Sequence, residues 1–171
     1  MKKISITTRR WIIVFHLAFG GLWLGAATSL VLLSYMFSLP KSSEALITIH
    51  NALKWIDDAI IIPCAFLSLI SGFLICYYTK WGFFVHKWVI WKWAVTIFLI
   101  LFGAAFLGPW IDGMAHIARK DGIAALQNDT FAYYSLSNRI FVFVQIFSLI
   151  FLIAISIFKP WGKRKAYEKK K

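Results

Sequence analysis

Residues 11–25 read WIIVFHLAFGGLWLG, and this stretch decides the class of fold. It opens an apolar run, Trp11 to Phe37, in which His16 is the only basic or acidic side chain. A helix needs about 20 apolar residues to cross a bilayer, and this run exceeds that length. We therefore predict a transmembrane helix. A histidine within it is the first candidate functional residue, because ionisable groups inside a membrane are costly and usually face an interior site.

The rest of the chain repeats this pattern three times. Hydrophobic residues make up 60% of the 171 positions and aromatic residues 18%, and the mean hydropathy is +0.72, far above that of a soluble domain. Four apolar stretches are long enough to cross a bilayer, and we place the spans at about 11–37, 58–78, 89–110 and 141–158. They use nearly the whole chain. We predict an all-α transmembrane four-helix bundle forming one integral membrane domain over residues 1–171.

Basic residues indicate the orientation of this bundle. Fourteen of the 19 Lys and Arg fall in the N-terminal flank, the connection between the second and third spans, and the tail 159–171, whereas six of the seven acids fall in the other two connections. Basic residues collect on the cytoplasmic side. Both termini are therefore predicted to be cytoplasmic, in a bacterial inner membrane. The net charge of +12 indicates a lipid bilayer as the partner, and we expect no nucleic acid.

The connection 111–138 is predicted to be a long outer loop. Within it, the pattern from Met114 to Leu126 is typical of a short amphipathic helix lying on the membrane surface. Cys64 and Cys76 are 12 positions apart on one predicted helix, roughly 18 Å along its axis, so they cannot pair within the chain.

Five polar side chains are candidates for chemistry. His16 and Lys92 are predicted to lie at matching depth, roughly 6 to 8 Å below the cytoplasmic membrane interface. His86 lies closer to that interface. His50 and His116 lie at the outer ends of the second and third predicted helices. A b-type haem needs one or two axial ligands from facing helices, so this distribution is compatible with one haem or, as an alternative, with two that pair His16 with His86 and His50 with His116.

Each candidate also has a purely structural reading. His16 could donate a hydrogen bond to a neighbouring helix, and Lys92 could extend its ammonium to the headgroups. His50, His86 and His116 could be interfacial side chains, where an imidazole costs little. Spacing alone favours a functional role for His16 and a snorkelling role for Lys92.

Three motifs resemble the HemJ and CopD superfamily of small membrane proteins. His16-Leu-Ala-Phe-Gly-Gly-Leu-Trp23-Leu-Gly25 is similar to the first-helix pattern of these proteins, in which Trp follows His by seven residues. Pro63 with Gly72 resembles the Pro-to-Gly spacing of their second helix, and Trp88-Val-Ile-Trp-Lys92 resembles the Trp-x-x-x-Lys signature that opens a later helix. The motifs occur in order over the first three spans, and the chain looks most like an uncharacterised branch of the group.

The resemblance implies a haem or porphyrin site near the cytoplasmic face. In HemJ proteins, which oxidise protoporphyrinogen and carry b-type haem, the matching His and Lys are required. It thus implies His16 as the axial ligand, with Trp23 of the same motif beside the cofactor, and Lys92 beside a propionate or substrate carboxylate with a catalytic role. His86 is a further cofactor-binding candidate because of its position near the cytoplasmic interface. CopD-like members are linked to copper uptake.

Our preferred hypothesis is a membrane b-type haem protein that performs electron transfer or porphyrin-linked redox chemistry, that is, a haem-dependent oxidoreductase. A porphyrin, a quinone or a protein would be its redox partner, and a homo-oligomer is compatible with the same sequence. The alternative is a cofactor-free membrane partner or small transporter, with copper handling as one form of it. In that case the polar residues of the bundle serve packing or transport.

Overall fold

The computed structural model describes residues 4–36, 40–164 and 167, and all of its regular elements are helical. Six α-helices follow one another: α1 (Ile6–Met36), α2 (Ser43–Ile56), α3 (Ile62–Tyr78), α4 (Lys87–Phe102), α5 (Gly108–Asp121) and α6 (Asp129–Phe158). Two π-helical segments join them, π1 (Asp57–Ile61) between α2 and α3 and π2 (Gly103–Leu107) between α4 and α5. A 3₁₀ helix, Gly122–Gln127, continues α5.

These elements form four continuous helical rods. The rods are Ile6–Met36, Ser43–Tyr78, Lys87–Gln127 and Asp129–Phe158, and each is long and apolar enough to cross a membrane. The all-helical fold with four helices long and apolar enough to span a membrane is confirmed. We call the side on which α1 begins and α6 ends the terminal side, and the opposite side the far side.

The predicted boundaries were too narrow on the far side. Most of the predicted outer connection 111–138 is helical, because α5 and the 3₁₀ helix run to Gln127 and α6 begins at Asp129. The amphipathic segment from Met114 is part of α5 and packs on its apolar side, where Ala115 and Ala118 are 1% and 0% exposed. The charged residues in this part of the sequence suggested loops. A helix can continue beyond its apolar part when its terminal N–H and C=O groups are capped.

Two caps explain where these far-side helices begin. The Ser42 hydroxyl accepts a hydrogen bond from the Ala45 N–H at the start of α2. The Asn128 side chain accepts from the N–H groups of Thr130 and Phe131 at the start of α6. A side-chain oxygen that satisfies the first free N–H groups stabilises a helix start by about 1 kcal/mol.

The core lies along α1. Trp23 and Ala27, at helical spacing from His16, are 2% and 0% exposed. A small residue on α3 lets α1 approach closely: a methyl group at Gly72 would lie 3.3 Å from the His16 ring. Small residues at such crossings are typical of membrane bundles. Bulky side chains such as Leu17, Phe98 and Phe147 are exposed on the outside, as expected of a surface that faces lipid.

On the terminal side, the α3–α4 connection meets the chain end. The sharp turn in this connection uses Gly82 at φ +58, where a Cβ atom would strike Val85 at 2.8 Å. His86 forms an isolated antiparallel bridge with Lys163, and the Arg164 N–H donates to the Val85 carbonyl at 3.0 Å. The described part of the C-terminal segment is thus docked on the connection. Part of the predicted basic tail, residues 165–166 and 168–171, lies outside the described residues, as do Lys2, Lys3 and Phe37.

Candidate functional site

His16 is fixed at one ring nitrogen by α3. Its Nδ1 atom lies 3.0 Å from the Ser68 carbonyl oxygen and 3.0 Å from the Ser71 hydroxyl. The Ser71 hydroxyl is itself within hydrogen-bond distance of the Leu67 and Ser68 carbonyls. The α1–α3 crossing is tight enough for these contacts because position 72 is glycine.

The hydrogen-bond network assigns the tautomer of His16. A carbonyl oxygen only accepts, so the Nδ1 atom must carry the proton that it shares with Ser68. The Nε2 atom then holds a lone pair, and no partner for it exists among the described hydrogen bonds. Metal-ligating histidines are usually held in this way, with one ring N–H on a backbone carbonyl and the other nitrogen facing the metal.

Lys92 supplies a positive charge near this imidazole. Its Nζ atom donates to the Ser156 hydroxyl on α6 at 2.6 Å, and its charge acts on the His16 ring. The side chain is therefore held between α4 and α6. Among the described residues, no carboxylate pairs with Lys92, since both ion pairs involve Lys54. An unpaired ammonium in an apolar interior is costly, and an anionic occupant would supply the missing countercharge.

These two residues fit a haem group. The free Nε2 lone pair of His16 is the donor type that binds haem iron, and Lys92 is the cation type that pairs with a propionate. Among the described histidines that bond a backbone carbonyl, His50 is held by its own helix and only His16 by a neighbouring one, which makes His16 the candidate axial ligand. No group of three or more His, Cys, Asp or Glu side chains that could hold a metal ion lies within the described ranges.

His86 lies apart from His16, in the terminal-side connection. It is 7% exposed, its ring packs against Trp81 and Trp88, and its Nδ1 atom is buried with no partner among residues 4–36, 40–164 and 167. Burial, with a smaller contribution from the charge of Lys163, lowers the pKa of this imidazole below its usual 6.5. His86 is thus favoured in its neutral form between two tryptophans.

The two far-side histidines are also separate. The His50 Nδ1 atom donates to the Leu46 carbonyl of its own helix at 2.9 Å, and its ring packs on Phe131 at 5.1 Å. It lines a small cavity of about 80 Å³ near Asn138. His116 is exposed on α5. No two histidine rings are in contact among the described aromatic pairs, and the four histidines have four different environments.

A second polar site, absent from the predictions, lies between the two π segments. A cavity of about 340 Å³ is lined by residues of π1, π2 and the adjoining helices, including Trp23, Asp57 and Gln145. Both π segments lead into a proline, Pro63 and Pro109. Proline has no N–H and its ring clashes with the carbonyl of the preceding turn, so the helix widens there. Such π turns are frequent at functional sites.

Asp57 projects from π1 into this cavity. It is 7% exposed, and one carboxylate oxygen lies 3.8 Å from where a Cβ atom of Gly108 would be, across the gap at the start of α5. Gln145, 4% exposed on α6, lines the same space. The Trp23 Nε1–H is buried with no hydrogen-bond partner. One face of the bundle thus carries an acid, an amide and an unpaired N–H around an open volume.

A charged rim closes the far-side end of the cavity. The Lys54 ammonium pairs with Asp58 at 3.0 Å and with Asp112, and both carboxylates line the cavity. The Asp58 and Asp112 side chains are about half exposed and that of Lys54 is one-third exposed, whereas Asp57 is 7% exposed.

Sequence reasoning missed Asp57 because it treated residues 38–57 as a connection. The signal that could have found it is a repeated pattern: an apolar helix that reaches a proline on the far side, at Pro63 and again at Pro109, with an acid nearby. Trp23, predicted to bind the cofactor of His16, lines this cavity instead of contacting the His16 ring in any described ring pair.

Comparison with known proteins identifies no relative. No family model matches the chain, and neither a curated protein nor a solved structure matches it.

Proposed function

We propose that this protein is a membrane b-type haem protein whose axial ligand is His16. The observation that carries the proposal is the His16 Nδ1 contact with the Ser68 carbonyl, which leaves the Nε2 lone pair free inside an apolar bundle. This hydrogen bond alone would also suit a histidine that only joins two helices. The second support for the proposal is the nearby Lys92 ammonium, which has no carboxylate partner among the described residues and would be balanced by a bound anion.

The two residues divide the binding task. His16 presents a ligand of fixed orientation, since Ser68 and Ser71 hold its Nδ1–H. Lys92, positioned by Ser156, pairs with a carboxylate of the haem or of a porphyrin substrate. When bound, haem b supplies a one-electron couple for electron transfer or porphyrin-linked redox chemistry. A quinone or a protein is the redox partner in this proposal.

The orientation belongs to the same proposal. With the basic flanks in the cytoplasm, His16 and Lys92 lie in the cytoplasmic half of a bacterial inner membrane and the Asp57 cavity lies in the other half. The HemJ and CopD resemblance of the His16, Gly72 and Lys92 motifs is compatible with this arrangement.

An absorption spectrum tests the proposal. The protein is purified in detergent after expression with added haem precursor, and it is examined oxidised and then reduced with dithionite. A Soret band with sharp α and β bands on reduction is the expected result. A folded, monodisperse protein without any chromophore would contradict it and favour a cofactor-free transporter.

A further inference from the structure

We propose that the cavity between the two π segments is a binding site for a small organic cation, a protonated amine with an apolar body, that is held by the Asp57 carboxylate. This site is separate from the His16 site, and the inference does not rest on the haem proposal.

The first observation is an unpaired acid in a dry place. Asp57 is 7% exposed and lines the cavity. No donor among the described residues hydrogen-bonds its carboxylate, and Lys54 influences it only as a more distant charge. Lys54 is engaged with Asp58 and Asp112 at the rim. A carboxylate in an apolar interior is retained when a cation or a proton balances it, so Asp57 itself lacks a balancing positive charge.

The second observation is independent of the acids. Gln145 is 4% exposed and lines the cavity from α6, and the Trp23 Nε1–H is fully buried without a partner. Buried polar groups are nearly always hydrogen-bonded, and an unpaired one requires an explanation. An occupant with polar atoms, or water that accompanies it, would satisfy both groups.

Size and lining decide between a bare ion and an organic cation. At about 340 Å³ the cavity is at the small end of ligand pockets and much larger than one inorganic ion needs. Apart from the polar groups, its walls are aliphatic and aromatic side chains, among them Phe66 and Leu99. An aromatic face also attracts a cation. An ammonium group at Asp57 with its hydrocarbon part against these walls fits all three properties.

The widened helices explain why the space exists. In each π segment the last hydrogen bond runs from the following N–H to a carbonyl five residues back, Ile62 to Asp57 and Gly108 to Gly103. Because each of these turns contains one extra residue, the Asp57 side chain faces the cavity. A Cβ atom added to Gly103 would meet no heavy atom within 4 Å, so the cavity is open at this glycine.

Equilibrium dialysis with radiolabelled benzylammonium at pH 7 tests the proposal on the full chain in detergent. We expect saturable binding to the wild type that unlabelled benzyltrimethylammonium displaces and that benzyl alcohol and sodium do not. We expect Asp57→Asn to weaken binding at least about tenfold, since it removes one partner of a buried charge pair. Asp58→Asn, the same change one residue away on the more exposed rim, should alter it less than about threefold.

A steric pair provides a second test. Gly103→Leu places a side chain in the cavity and should also abolish saturable binding, whereas Gly21→Leu, on the exposed outer face of α1, should leave it unchanged. His16→Ala should bind benzylammonium like the wild type, which separates this proposal from the haem proposal. Absence of saturable binding to folded wild type would overturn the proposal. So would equal competition by benzyl alcohol, or binding that Asp57→Asn and Gly103→Leu both leave intact.

Discussion

At the scale of single residues, the two ends of the His16 ring have different roles. The Nδ1 end is occupied by α3 and the Nε2 end is free. Glycine at position 72 makes this possible, because a methyl group there would lie 3.3 Å from the His16 Cε1 atom.

Gly72→Ala is therefore expected to push the His16 ring out of place. An alanine in a helix usually stabilises it by roughly 0.5–1 kcal/mol relative to glycine, but here the crowding of the ring should offset that gain and leave the variant about 1 kcal/mol less stable. Gly20→Ala is the control, since its methyl group would meet only the Ser68 hydroxyl at 3.9 Å, an ordinary contact. Thermal unfolding in detergent compares the two. Equal melting temperatures for both variants would argue against a tight His16 crossing.

Lys92 is expected to matter for its charge. Lys92→Met keeps most of the side-chain volume but removes the ammonium that Ser156 holds. We expect haem affinity to fall at least about tenfold, as for other buried partners of a carboxylate. Lys87→Met, an exposed position on the same helix, should leave affinity within about twofold. Haem titration followed at the Soret band measures both. If the Lys92→Met protein binds haem as tightly as the wild type, Lys92 does not pair with a propionate.

At the scale of elements, docking of the chain end on the α3–α4 connection is expected to depend on pH. Burial lowers the pKa of His86 below 6.5 in the folded protein. Between the lowered and the usual pKa the undocked state binds more protons, so docking of the chain end on this connection is complete above about pH 6.5 and weakens as the pH falls.

Hydrogen exchange at Arg164 measures this docking, because its N–H donates to the Val85 carbonyl. After correction for intrinsic rates, we expect more protection at pH 7.5 than at pH 5.5. His86→Phe retains a ring between Trp81 and Trp88 and should abolish the difference. If the variant shows the same pH dependence as the wild type, another group controls the contact.

The number and nature of the helices could be predicted from the sequence, but their ends could not. Apolar runs mark only the part of a helix that lies in lipid, whereas caps at Ser42 and Asn128 determine where α2 and α6 begin. For the same reason His16, deep in an apolar run, was identifiable, and Asp57, at the edge of one, was not. The π turns that aim Asp57 into the cavity change the helical register, which a fixed period of 3.6 residues cannot reveal.

At the scale of the whole molecule, the bundle has two polar sites at different depths. The His16 site lies toward the terminal side and the Asp57 cavity toward the far side, and Trp23 lines the latter. We expect the terminal side to face the cytoplasm. A green fluorescent protein fused at the C-terminus should then fluoresce, and alkaline phosphatase fused there should be inactive. Phosphatase inserted at the 3₁₀ connection, after Gln127, should be active. The reverse pattern would invert the topology.

The central claim is that His16 is the single axial ligand of a b-type haem. A pyridine haemochrome assay of purified wild type, His16→Ala and His116→Ala tests it most directly, with circular dichroism as a check on folding. We expect about one haem per chain in the wild type and in His116→Ala, an exposed histidine on α5, and none in His16→Ala, because the other histidines have separate environments. Equal haem content in all three proteins, or none in folded wild type, would contradict the claim.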